Sequence, residues 1–154
     1  MAIQKILVAY NFTGLDQKAL DFIANAFGHL DGIEITIFHA YTPVPEIETE
    51  DSLVTGKLKG SLSYLSQQIL QRENELKTVV ARFCEDGFSA NRINTIFKPR
   101  KRDIAGEIIN LTRETKFDVI VLNRKPARVA RFFSGSVSHK VVMTLKDTAV
   151  CIVS

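Results

Sequence analysis

Positions 123 to 138 read Asn-Arg-Lys-Pro-Ala-Arg-Val-Ala-Arg-Phe-Phe-Ser-Gly-Ser-Val-Ser, a set of residue types suited to holding an anion. Gly135, Ser136 and Val137 stand where a new apolar periodicity begins. A helix N-terminus there offers free backbone N–H groups, the positive end of the helix dipole and serine hydroxyls to a phosphate. The guanidinium groups of Arg124 and Arg131 add forked donors that match phosphate oxygens. The plainer reading is that Ser134 or Ser136 is only a helix cap, contributing about 1 kcal/mol. Spacing alone leaves both readings open.

Lys98, Arg100, Lys101 and Arg102 form a second basic cluster, so two short segments hold eight of the twenty basic residues. Most charge runs are solvated loops; if this one acts, it attracts a phosphorylated metabolite or an acidic partner. It lacks the interleaved aromatic residues of a single-strand nucleic-acid platform. A net charge of +3 is likewise too mild to imply a specific nucleic-acid partner. His39, near the end of a strand, reads as a hydrogen-bonded core residue, and His139 as a surface or interface residue. No metal site is expected.

Enzymatic signatures are missing from the sequence. There is no Gly-x-Ser-x-Gly elbow, no Gly-x-x-x-x-Gly-Lys-Ser/Thr loop and no metal-ligand spacing. Acidic residues look scarce near the basic segments, and the nearest, Asp103, reads as a helix cap. The expectation is a protein without catalytic residues, with a slow incidental ATPase only if ATP binds. Cys84 and Cys151 lie far apart in apolar surroundings, which suits reduced thiols. The amino-terminal residues lack a signal-peptide pattern and no run is long enough for a membrane helix, so a cytoplasmic protein without membrane contact is expected.

The elements that must position these residues follow from periodicity. The chain has 154 residues, 45% hydrophobic and 24% charged, which fits one globular domain over residues 1–154. Residues 5–10 form a short apolar strand. Leu15, Ala19, Phe22, Ile23, Ala26, Phe27 and Leu30 mark an amphipathic helix, with Thr13 and Asp16 as a start box and Gly32 as its stop. Residues 34–41 are a second strand, ended by Pro43 and Pro45. Residues 45–51 together with Gly56 and Gly60 read as a long loop. Leu62, Leu65, Ile69, Leu76, Val80 and Phe83 mark a long helix closed at Asp86 and Gly87. A third strand near residues 93–97, a helix capped by Asp103, a fourth strand at 118–122, a helix from about Ser136 and a last strand at 149–153 complete the chain.

Strands alternating with helices of this length imply an α/β fold with a parallel sheet and right-handed crossovers. Ligands then bind outside the carboxyl ends of the strands, where strand order reverses. This selects the loops that begin at Asn11, Tyr41, Lys98 and Asn123, and both basic clusters lie on that face.

The blocks Ile6-Leu7-Val8-Ala9-Tyr10-Asn11, Thr36-Ile37-Phe38-His39-Ala40, Asp118-Val119-Ile120-Val121-Leu122 and Gly135-Ser136-Val137-Ser138-His139-Lys140-Val141-Val142 resemble, in order, those of the universal stress protein family. The resemblance spans the chain, and the Gly-Ser-Val-Ser block before a helix is its most specific part. It implies a five-stranded parallel sheet of order 3-2-1-4-5, sandwiched by helices in a Rossmann-like, adenine-nucleotide-hydrolase-like three-layer fold. It also implies stress-associated expression, homodimers in many members and ATP binding in some.

In the nucleotide-binding members an Asp ends the first strand and a Gly-x-x-Gly pair follows the fourth. Here Asn11 stands at the Asp position and Phe12 where a small residue is usual. Asn123 and Pro126 take the two Gly positions, with eight residues between Pro126 and Gly135, one fewer than the family spacing. Glycines let the backbone approach a polyphosphate, whereas Pro126 adds a ring and removes a donor. Phe12 is expected to crowd the mouth of the crevice. Asn11 keeps hydrogen-bonding capacity without a carboxylate's charge.

Two functions follow. The first is a non-enzymatic, homodimeric stress-response protein whose remodelled crevice takes a small anion or no nucleotide and which works through protein partners. The second is an ATP- or ADP-binding switch. In it Gly135, Ser136 and Val137 hold phosphates, Asn11 and the backbone near Ala40 hold base and sugar, and Arg124 or Arg131 replaces the missing loop donors. In either case the last strand, with Val150, Cys151, Ile152 and Val153, is an apolar edge that a second copy would cover.

Overall fold

The computed structural model describes residues 4–45, 53–124 and 137–154, with the side chains of its second helix described from residue 56. Five strands, β1 (Lys5–Ala9), β2 (Glu34–Tyr41), β3 (Ile93–Pro99), β4 (Val119–Asn123) and β5 (Ala149–Val153), alternate with four helices, α1 (Asp16–Phe27), α2 (Leu53–Glu85), α3 (Ile104–Glu114) and α4 (Val137–Thr144). The sheet order is β3-β2-β1-β4-β5 and every pairing is parallel. The expected fold class and strand order are therefore those observed.

The central strands are apolar on both faces because both faces are covered. Ile6 and Val8 of β1, with Ile35 and Ile37 of β2, pack under α1 and α2, whereas Leu7 and Ala9, with Phe38 and Ala40, pack under α3 and α4. Period-two alternation thus divides one run of residues between two cores. At the amino ends, the Asp118 carboxylate accepts the backbone N–H groups of Gln4 and Lys5, both at 2.9 Å, and fastens β1 beside β4.

Three boundaries differ from the sequence reading. Helix α1 ends at Phe27 rather than near Gly32; Gly32 instead turns the chain into β2 with φ of +79°. Its buried stripe is Asp16, Ala19, Leu20, Ile23 and Phe27, so Ala26 and Leu30 face outward. The start box does not form as a reciprocal pair, because no side chain caps the first turn. Helix α2 starts at Leu53 and takes in Gly56 and Gly60, which were expected in a loop. Each glycine costs about 1 kcal/mol against alanine, but propagation along an existing helix tolerates both.

The end of α2 matches the sequence. Gly87, at φ of +101°, donates to Cys84 and Phe88 donates to Phe83, the paired bonds of a Schellman motif. The Phe83 and Phe88 rings meet edge to face at 5.5 Å across that turn. Among the described residues no helix is long and apolar enough to cross a membrane, and no group of His, Cys, Asp and Glu could hold a metal.

Ile37 is fully buried at the middle of β2. Ile37→Ala is expected to lower stability by about 2–5 kcal/mol, measured by urea denaturation, through lost burial and the cavity left behind.

Candidate functional site

Where β1 ends, the chain stays beside β2 for one more residue, with Tyr10 N–H donating to Phe38 O at 2.9 Å. It then turns sharply around the carboxylate of Asp16, which is 1% exposed. Asp16 accepts the backbone N–H of Asn11 on both oxygens, at 3.1 and 3.2 Å, and that of Thr13 at 2.8 Å. It also accepts the side-chain amide of Asn123 at the end of β4. One buried side chain therefore binds the loop after β1 to the carboxyl end of β4, and Asn11 and Asn123 lie at one rim. Burial pushes the Asp16 carboxyl above the usual aspartate range, against the N–H groups of Thr13, Asn11 and Phe12 and the nearby His39, which favour its charge.

The turn forces Phe12 to φ of +59°, a conformation costly for a residue with a Cβ. Packing holds it there. The Phe12 ring meets Tyr10 at 4.8 Å and His39 at 4.7 Å, both edge to face, and the Arg72 guanidinium lies 5.6 Å above it. Phe12 thus turns toward α2. His39 is hydrogen-bonded, its Nδ1 lying 2.7 Å from Tyr10 O, and since a carbonyl can only accept, Nδ1 carries the proton. Phe97 stacks on the other side of the imidazole at 5.7 Å, and burial lowers the His39 pKa.

Among the described residues, a small space lies beside them. A cavity of about 10 Å³ lies between the ends of β1 and β2, lined by Asn11, Phe38, Ala40 and Ile104 among others. That is roughly the room for one water.

The basic loop after β3 is built around a second inward carboxylate. Glu107, 2% exposed, accepts the N–H groups of Lys101 at 2.7 Å and Arg102 at 3.0 Å, and its other oxygen lies 3.5 Å from Lys98 Nζ. Burial raises its pKa, but the two N–H groups and Lys98 outweigh this and hold it below the usual range. Asp103 caps α3, accepting from Gly106 N–H at 2.8 Å, and also pairs with Lys140 of α4. Gly106 permits that approach, since a Cβ there would stand 2.7 Å from the Asp103 carboxylate. Acidic residues are therefore not scarce at this rim: Asp16 and Glu107 are present and turned inward.

Of the other expected site residues, Ala40 is buried beneath the cavity, Arg124 donates its N–H to Val153 O, and Val137 is 37% exposed at the start of α4. Arg131, Gly135 and Ser136, with Lys125, Pro126 and Arg128, lie outside the described residues. Cys151 and Val153 pack toward the α1/α2 core and Val150 toward the α3/α4 core, and Ile152 is 42% exposed at the sheet edge. Sequence reading missed Asp16 and Glu107 as organising groups. The signal was available: each acid falls on the buried stripe of its helix, where an ionisable residue needs partners.

Asp16→Ala is expected to destabilise by about 1–3 kcal/mol, because three part-buried donors lose their acceptor. Asp16→Asn, which keeps one acceptor oxygen but turns an NH2 on a donor that the other oxygen serves, is expected to destabilise by about 1–3 kcal/mol. The folded-state pKa of Asp16 exceeds the unfolded one, so the stability linked to it is fully present below the unfolded pKa and declines as pH rises through the raised value. Chemical denaturation across that range should show the decline in wild type and not in Asp16→Asn.

Comparison with known proteins bears on this geometry. Among curated proteins none matches the sequence. The fold is similar to that of the hypothetical protein MJ0577 (TM-score 0.72, 17% identity, covering 99% of this chain and 96% of that one). It is also similar to the universal stress protein from Archaeoglobus fulgidus solved in complex with dAMP (TM-score 0.63, 17% identity, all of both chains). A universal stress protein in complex with cAMP gives a TM-score of 0.65 at 19% identity, over 100% of this chain and 98% of that one. Residues 2–148 match the sequence model of the universal stress protein family. With nearly its whole length matched and the five-stranded order in place, the chain belongs to the universal stress protein family.

Proposed function

We propose that this protein is a non-enzymatic, cytoplasmic stress-response protein that acts as a homodimer through protein contacts, with a crevice that binds ATP weakly or not at all. The observation that carries this reading is that the described space at the carboxyl ends of β1 and β2, lined by Asn11, His39, Ala40 and Ile104, is a cavity of only about 10 Å³. The groups around it are already committed. Asn11 N–H and the Asn123 amide are both bonded to Asp16, and Phe12 is held by Tyr10, His39 and Arg72. Opening the space for a nucleotide costs those contacts, so affinity falls by the free energy of opening. The small anion of this reading is a phosphate-sized one held by Gly135, Ser136, Val137 and either Arg124 or Arg131, residue types suited to it by sequence.

The same reading covers the edge of the sheet. β5 is the last strand of the sheet, so among the described residues one side of its backbone has no neighbouring strand, and Ile152 is exposed beside it. Pairing of Val150, Cys151, Ile152 and Val153 with the same strand of a second copy would cover that edge.

A second reading, a nucleotide-dependent switch, is favoured by the relatives solved with dAMP and cAMP. The two are separated by denaturing freshly purified protein and assaying released adenine nucleotide by mass spectrometry, together with thermal shift in ATP and magnesium. No released nucleotide and no shift below millimolar ATP are expected; carried nucleotide or a clear shift at micromolar ATP establishes the switch instead. For the edge, Ile152→Lys is expected to halve the mass of the dimer in light scattering without changing the circular dichroism spectrum; a monomeric wild type removes the dimer.

A further inference from the structure

The buried carboxylate of Glu107 serves the end of β3 and the loop that follows it, through Lys98 Nζ and the N–H groups of Lys101 and Arg102. The residue before those two is tied as well, since Arg100 N–H donates to Tyr41 O at 2.8 Å. Three consecutive basic residues therefore have their backbone held from inside. The Arg102 stem is held too. It lies along the first turn of α3 at Gly106, where a Cβ would stand 3.1 Å from Arg102 Cβ and 3.4 Å from its Cδ. A charge run that is merely solvated needs no such framework.

The cationic groups are left for something else to meet. Lys101 and Arg102 are exposed and Arg100 is half-buried, and among the described residues none of the three stands within 4.0 Å of a carboxylate. Asp103, the acid that follows them, is paired with Lys140 of α4, as Glu107 is with Lys98. Five cations thus surround two carboxylates, an excess of three that equals the net charge of the whole chain.

The chemistry of the surroundings selects among anions. The cavity at this rim is lined by none of the three residues, so a small anion has no enclosure there, whereas a run of carboxylates that touches several cations at once needs none. A single-stranded nucleic acid needs rings to stack on, and Tyr41, whose carbonyl takes the Arg100 N–H, has its ring on Phe97 at 4.8 Å. A membrane surface needs apolar residues among the cations, and Ile104, beside Asp103, packs against the α3/α4 core.

We propose that Arg100, Lys101 and Arg102, with Lys140 alongside, form a docking surface for an acidic segment of a partner protein, rich in aspartate and glutamate. A backbone fixed before binding lowers the ordering cost of such a contact. This assignment rests on the reading that the protein works through protein contacts. Peptide binding depends neither on nucleotide release nor on dimer mass, so each test can fail without the other.

Fluorescence anisotropy with the labelled peptide Glu-Asp-Glu-Asp-Glu-Asp-Glu-Asp tests it. Wild type should bind, with an affinity that falls as salt rises; absence of binding at low salt overturns the proposal. Arg100→Gln/Lys101→Gln/Arg102→Gln should weaken binding about tenfold or more at an unchanged melting temperature, because the bonds to Tyr41 and Glu107 are made by the backbone. Lys101→Glu, a single exposed change, should weaken it in the same direction. Arg113→Gln/Lys116→Gln/Lys146→Gln removes the same charge around a cavity at the amino ends of β4 and β5 and should bind like wild type. Equal loss in the two triple variants, or none in the first, overturns the proposal. So does tighter binding of a labelled oligothymidylate, or co-sedimentation with phosphatidylglycerol vesicles, that the first triple variant abolishes, since the surface then serves a nucleic acid or a membrane.

Discussion

The carboxyl rim of this molecule is organised by a carboxylate that is not in contact with solvent. Asp16 gathers two backbone N–H groups of the loop after β1 and the side-chain amide of the residue that ends β4. A buried carboxylate is costly unless several donors meet it, and the chain supplies them by turning so tightly that Phe12 takes a left-handed backbone. The aromatic contacts of Phe12, its cover by Arg72 and the protonated Nδ1 of His39 all follow from where that turn leaves them. Glu107 does the same for the loop after β3, with Lys98 as counter-ion.

These two inward acids change what the crevice offers. A loop whose N–H groups point at a ligand can receive an anion, whereas one whose N–H groups are bonded to an internal carboxylate has already spent that capacity. At this rim the Asn11, Thr13, Lys101 and Arg102 N–H groups are all taken by Asp16 or Glu107. The family fold is thus retained while the polar groups at its strand ends rigidify the rim.

The sheet was legible in the sequence because each central strand is a short apolar run between turn residues, and because Asp103 and the Asp86-Gly87 pair punctuate helices in the ordinary way. The β1–β4 juxtaposition of Asn11 and Asn123 followed from the strand order that the family resemblance implies, and the sheet has that order. Three features did not follow. The end of α1 was misplaced because Ala26 and Leu30 continue an apolar pattern that the sheet does not cover. The start of α2 was hidden by Gly56 and Gly60, whose low helix propensity argues for a loop when no burial is available to argue otherwise. Asp16 was read as part of a start box, which its bond to Thr13 N–H half fulfils, whereas its tie to Asn123, 107 residues away in sequence, is made only in the fold.

The account stands on Asp16 being a buried, hydrogen-bonded carboxyl that joins β1 to β4, and NMR detection of its carboxyl carbon across a pH titration tests that most directly. The midpoint should lie above the usual aspartate range, with the Asn11 and Thr13 amide protons and the Asn123 side-chain amide shifting at the same pH. A midpoint at or below the usual range, with those three amides indifferent to it, would contradict the account.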